Sequence, residues 1–118
     1  MAATWCTGLR AHHLCLELSP LQKGDYRAQS LSLVMPGGAR TADFSFVCAR
    51  RLEGSVPPEG MPAARGGAET LALDFSTPEG VAVTLFYTVY PDCDVITRRL
   101  CIKNGADAPV TLEKALSY

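Results

Sequence analysis

The sequence predicts an all-β, antiparallel β-sandwich, and three observations predict it. Apolar residues alternate with polar ones at period two in run after run. That is the pattern of a strand with one buried face, because successive strand side chains point to opposite sides of the sheet. The runs are short and are separated by clusters of Gly, Pro, Asn and Asp, the residues that form tight turns. No segment sustains a helical period, and many short strands divided by turn signals imply a sandwich.

In chain order, residues 13–18 put Leu14, Leu16 and Leu18 on one side, and Pro20 and Lys23-Gly24-Asp25 follow. A second strand carries Leu31, Leu33 and Met35, and Pro36-Gly37-Gly38 turns the chain. Residues 43–48 read as another half-buried strand, with Phe44, Phe46 and Cys48 alternating with Asp43, Ser45 and Val47. Residues 54–62 and Gly66-Gly67 hold too many fixed or unconstrained backbone angles for a regular element. The loop 53–67 is therefore either functional or a plain excursion.

The second half is more regular. Residues 69–75 place Leu71, Leu73 and Phe75 together ahead of the turn Thr77-Pro78-Glu79-Gly80. The clearest strand is 81–90, with Val81, Val83, Leu85, Tyr87 and Val89 on one face and Ala82, Thr84, Phe86, Thr88 and Tyr90 on the other, a pattern compatible with cover on both sides. Pro91-Asp92-Cys93-Asp94 turns into residues 95–103, where Ile96, Leu100 and Ile102 share a face with Arg98. Asn104-Gly105-Ala106-Asp107 makes the next turn, and residues 110–116 form the last strand.

At 118 residues the chain has room for one core, since domains run from about 50 to 200 residues. Its 47% hydrophobic and 19% charged content is that of a globular protein. It holds no apolar run of membrane-spanning length. A net charge of −1, spread along the chain, leaves no footprint for nucleic acid. The five cysteines, Cys6, Cys15, Cys48, Cys93 and Cys101, are odd in number, follow no C-x-x-C spacing and mostly fall in apolar stretches, so they read as buried free thiols. With no secretory signal pattern at the amino terminus, a reducing cytoplasm is the expected location.

The chemistry-bearing residues support no catalytic, cofactor-binding or metal-binding assignment. His12 and His13 with Cys15 lack a second cluster to complete a tetrahedral site, and adjacent strand histidines face opposite ways. Tyr87, Tyr90, Phe86 and Trp5 are a possible sugar-stacking platform, although alternating strand aromatics more often serve a core or interface. Arg50-Arg51 and Arg98-Arg99 each suggest one exposed and one paired residue. If the Arg98 side is buried, its charge needs a carboxylate such as Asp25 or Asp43, or a domain interface. Asp92 and Asp94 span a turn where carboxylates cap backbone amides, and Asp43 and Asp74 lie on different strands facing solvent.

An ordered set of short motifs narrows the reading further. Gly24-Asp25-Tyr26-Arg27, Asp43-Phe44, Ala68-Glu69-Thr70-Leu71, Tyr87-Thr88-Val89-Tyr90, Asp94-Val95-Ile96-Thr97-Arg98, Lys103-Asn104-Gly105 and the run Pro109 to Ser117 occur in order. Together they resemble the amino-terminal domain of glycoside hydrolase family 36 α-galactosidases. The resemblance implies a β-sandwich of the supersandwich type, followed in the parent by a (β/α)8 barrel with two catalytic aspartates. It also implies removal of terminal α-galactose with retention by that parent.

The nucleophile's Lys-Trp-Asp motif is absent, and the single tryptophan is Trp5. A retaining glycosidase needs two carboxyls roughly 5 Å apart, and this chain offers no such pair. The chain departs from the family pattern at Cys48-Ala49, where a Ser-His pair is usual, and at Glu53-Gly54-Ser55-Val56, where Lys-Gly-Lys-Pro is usual. The expectation is thus residues 1–10 as an unmatched leader and 11–118 as a partial amino-terminal sandwich, inactive alone. It would support the catalytic barrel and join a homo-oligomer, the family's inter-subunit loop lying upstream. The alternative is a stand-alone carbohydrate-binding module. A sandwich short of strands would be weakly stable in isolation.

Overall fold

The computed structural model describes residues 31–40 and 42–115, and every regular element there is extended except one 3-10 turn. The elements are β1 (Leu31–Val34), β2 (Ser45–Glu53), β3 (Glu69–Ser76), β4 (Val81–Tyr90), the turn Pro91–Cys93, β5 (Val95–Asn104) and β6 (Thr111–Ala115). They form an antiparallel four-stranded sheet in the order β2-β3-β4-β5 and an antiparallel pair β1-β6. The expected all-β, antiparallel class is what the chain adopts. The expected strand over residues 13–18 lies outside the described residues.

The core sits between the two sheets. Leu31, Leu33 and Met35 from β1 and its turn, with Ala42 and Phe44, pack on Phe75, Val81, Val83 and Leu85. Phe46, Leu73, Tyr87, Leu100, Ile102 and Val110 border the cluster. Phe46 and Phe75 meet edge to face at 5.7 Å between centroids, a geometry that aromatic quadrupoles favour.

Turn chemistry sets the registers. Thr77 Oγ1 accepts from the Val81 amide at 3.2 Å and closes the β3–β4 hairpin beside Gly80, whose φ of +94° suits glycine. Asn104 bridges the next turn, accepting from the Ala106 amide and donating to the Ala108 carbonyl. The two turns touch, because the Gly105 amide donates to the Gly80 carbonyl at 3.1 Å.

Strand β2 departs from the alternation read in the sequence. A bulge between Phe46 and Cys48 leaves Val47 without a cross-strand partner. One extra residue reverses the side-chain parity. Phe46 therefore faces the core opposite Phe75, whereas Cys48 turns to the other face opposite Asp74. Strand β4 also changes its buried side. Val81, Val83 and Leu85 are buried toward β1, and beyond them burial passes to Thr88 and Tyr90 on the opposite face, while Val89 is exposed.

Candidate functional site

The burial switch on β4 has its cause in the loop between β2 and β3, which folds over the far face of the sheet. Its two ends are clamped together, the Gly54 amide donating to the Ala68 carbonyl at 2.9 Å and the Ala68 amide to the Val89 carbonyl at 3.0 Å. Beneath them runs a hydroxyl relay. Thr70 Oγ1 donates to the Gly54 carbonyl at 2.7 Å, so the single proton of Thr70 is committed there, and the 2.8 Å contact with Thr88 must be donated by Thr88. Gly67 fits because it has no side chain: an added Cβ would stand 2.6 Å from Thr88 Cγ2 and 2.9 Å from Ser55 Cβ.

Further along, Arg99 pins the loop from β5. Its guanidinium donates to the Val56 carbonyl at 2.9 Å and lies 4.2 Å above the Phe86 ring centroid, where the ring quadrupole attracts a cation. Between loop and strands remains a cavity of about 210 Å³. Ser55, Val56, Pro57 and Pro58 form its loop wall, and Thr88, Tyr90, Thr97 and Arg99 its strand wall.

The same face carries a charged cluster at its other end. Asp74 accepts from Arg50 Nε at 2.6 Å and Arg50 Nη2 at 3.1 Å, from Thr84 at 2.7 Å and from the Cys48 thiol at 3.4 Å. The Arg50 hydrogen bonds hold the Asp74 carboxyl below the usual carboxylate range, Thr84 and Cys48 act in the same direction, and burial opposes them. Arg51 pairs with Glu69 in turn. Both members of the Arg50-Arg51 pair are therefore paired, where one exposed and one paired residue were expected. Asp74 is engaged with the protein and not turned to solvent as the sequence suggested.

The core-facing side of the four-stranded sheet is covered over only part of its length. Past Leu73, Leu85 and Leu100 the row continues with Leu71, Tyr87 and Arg98, then with Glu69, Val89 and Ile96. Leu71 and Val89 are exposed, and Ile96 is 67% exposed. An apolar strip continuous with the core thus stands open, bordered by the Arg51–Glu69 pair.

Other expected site residues fall apart in space. Tyr87 borders the core, Phe86 lies under Arg99 on the opposite face and Tyr90 is buried beneath the loop, so these three form no common stacking surface. Trp5, His12, His13, Cys6 and Cys15 lie outside the described residues, as does Asp25. Cys93 and Cys101 are exposed thiols, not buried ones, because both sit where β5 and its preceding turn meet solvent. Asp92 and Asp94 make no side-chain hydrogen bond among the described residues, so the expected caps do not form; Asp94 instead turns the chain with φ 51°. A glycosidase acid needs a raised pKa, opposite to the shift at Asp74. Among the described residues no group of His, Cys, Asp and Glu is placed to hold a metal ion, and no helix is long and apolar enough to cross a membrane.

Fold and site together define a β-sandwich segment with a clamped surface loop and an open apolar strip. The chain matches the glycosyl hydrolase family 36 N-terminal domain over residues 4–118, and it belongs to that family. Its relatives include alpha-galactosidase 2 of Hypocrea jecorina, 30% identical over 86% of this chain and 14% of that protein. The bifunctional alpha-galactosidase/sucrose kinase AgaSK of Mediterraneibacter gnavus is 34% identical over 84% of this chain and 11% of its own length. Among solved structures, the alpha-galactosidase AgaA of Geobacillus stearothermophilus in complex with stachyose superposes with a TM-score of 0.76 at 29% identity. That likeness covers 81% of this chain and 14% of AgaA. The chain spans about one seventh or less of the proteins it resembles.

Proposed function

We propose that this chain is a non-catalytic part of an α-galactosidase, which supports the catalytic barrel and contributes to a homo-oligomer. The observation that carries the reading is the open strip Leu71, Val89 and Ile96, a direct continuation of the core side of the sheet. Exposed apolar area contiguous with a core is an interface waiting for its partner. Because the chain spans only 14% of AgaA, the remaining polypeptide of such an enzyme is the occupant that this reading names.

Carboxylate chemistry points the same way. Both oxygens of Asp74 are occupied by Arg50 and Thr84, which keeps the group ionised and unavailable as an acid. The exposed Cys93 and Cys101 thiols fit a reducing cytoplasm, where such groups stay reduced. The experiment is association: the chain is mixed with the separately expressed catalytic part of a family 36 α-galactosidase and followed by analytical ultracentrifugation. A complex that Ile96→Lys weakens is the expected result. Hydrolysis of an α-galactoside by the chain alone would refute the reading.

A further inference from the structure

We propose that the cavity beneath the 54–68 loop is a binding site for a small oxyanion, a phosphate or carboxylate group. Its ionisable lining is one-sided: Arg98 and Arg99 contribute to the walls, and no Asp or Glu does. Strand alternation sends the Arg98 side chain to the opposite face, toward Tyr87, so Arg99 supplies the charge. Arg99 is already fixed in place by the Phe86 ring and the Val56 carbonyl, and only one of its five N–H donors is used there. A guanidinium held in advance of binding loses little entropy when it engages an anion.

Tyr90 provides the second, independent observation. It is 8% exposed, it lines the cavity, and its phenol makes no hydrogen bond to any described residue. Its hydroxyl is not sealed from solvent and so remains available to donate to a bound anion. Thr97 and Ser55 line the same space with further hydroxyls, and Pro57 and Pro58 close the other side with groups that cannot compete for the anion. The volume of 210 Å³ equals about seven waters at ~30 Å³ each, enough for an oxyanion carried on a short organic stem. The inference stands apart from the docking strip, which lies on the other side of the sheet.

The test is an amide NMR titration of the full 118-residue chain with sodium phosphate and with sodium acetate, at ionic strength held constant by sodium chloride. Saturable shifts at Ser55, Val56, Thr97 and Arg99 are expected, and the tighter of the two anions identifies the ligand as a phosphate or a carboxylate. Arg99→Gln should weaken binding about tenfold or more, the worth of a hydrogen bond to a charged group. Should that change loosen the loop, Tyr90→Phe still decides, since it keeps the ring and removes only the hydroxyl. A several-fold loss is expected there. Absence of saturation with both anions, affinity unchanged in Arg99→Gln and Tyr90→Phe, or saturation by melibiose alone would overturn the proposal.

Discussion

Asp74 accepts from Arg50, Thr84 and Cys48 at once, and its carboxyl titrates below the usual range chiefly because of Arg50. A depressed folded-state pKa contributes stability that is fully present above the unfolded value of about 3.9 and is lost as pH falls through the folded value. Asp74→Asn should therefore cost about 1 kcal/mol near neutrality, a modest figure because Arg50 is half exposed. The difference from the parent should close on acidification, as thermal melts between about pH 6 and pH 2 would show. Arg51→Ala, by contrast, removes a pair at the surface, and its melting temperature should match the parent's. Thr70→Val is the sharper residue-scale test. It strips the relay of its centre and leaves the buried Thr88 hydroxyl and the half-buried Gly54 carbonyl without partners, at about 1 to 3 kcal/mol in urea unfolding.

At the scale of elements, the β3–β4 hairpin turn and the β5–β6 turn meet backbone to backbone. A Cβ added at Gly105 would lie 2.7 Å from the Gly80 carbonyl oxygen, a backbone atom that cannot swing aside. Gly105→Ala should destabilise by about 1 to 3 kcal/mol, with amide shifts confined to the 77–81 and 104–108 turns. Both turns were legible in the sequence, because Gly, Pro, Asn and Asp carry their backbone preferences wherever they stand. The strand at 81–90 was legible through strict alternation. The bulge at Val47 was not, since an extra residue in a strand leaves the composition unchanged and shows only against its partner. Burial of Thr88 and Tyr90 was equally hidden, because it depends on a loop that returns from far away in sequence. The cavity has the same cause: Arg99 acquires its role from Phe86 across the strand pair and from Val56 on the loop.

For the whole molecule, the core between β1 and the four-stranded sheet supplies stability, while the strip beyond it is the surface proposed for association. Leu85 is fully buried at the centre, and Leu85→Ala should cost about 2 to 5 kcal/mol, a large share of a net stability of about 5 to 15 kcal/mol. Leu71→Lys and Ile96→Lys should leave urea unfolding of the chain almost unchanged, for both residues are exposed in it. Under the proposed function, their effect falls on assembly. The central claim is that this chain serves a catalytic barrel and is no catalyst itself, and a chimaera tests it most directly. The corresponding segment of the Geobacillus stearothermophilus α-galactosidase is replaced by this chain, and hydrolysis of an α-galactoside is measured per mole of soluble enzyme. An active chimaera that Ile96→Lys impairs, beside a chain inactive alone, is the predicted result. An inactive chimaera, where the same replacement by the corresponding AgaSK segment is active, would contradict it.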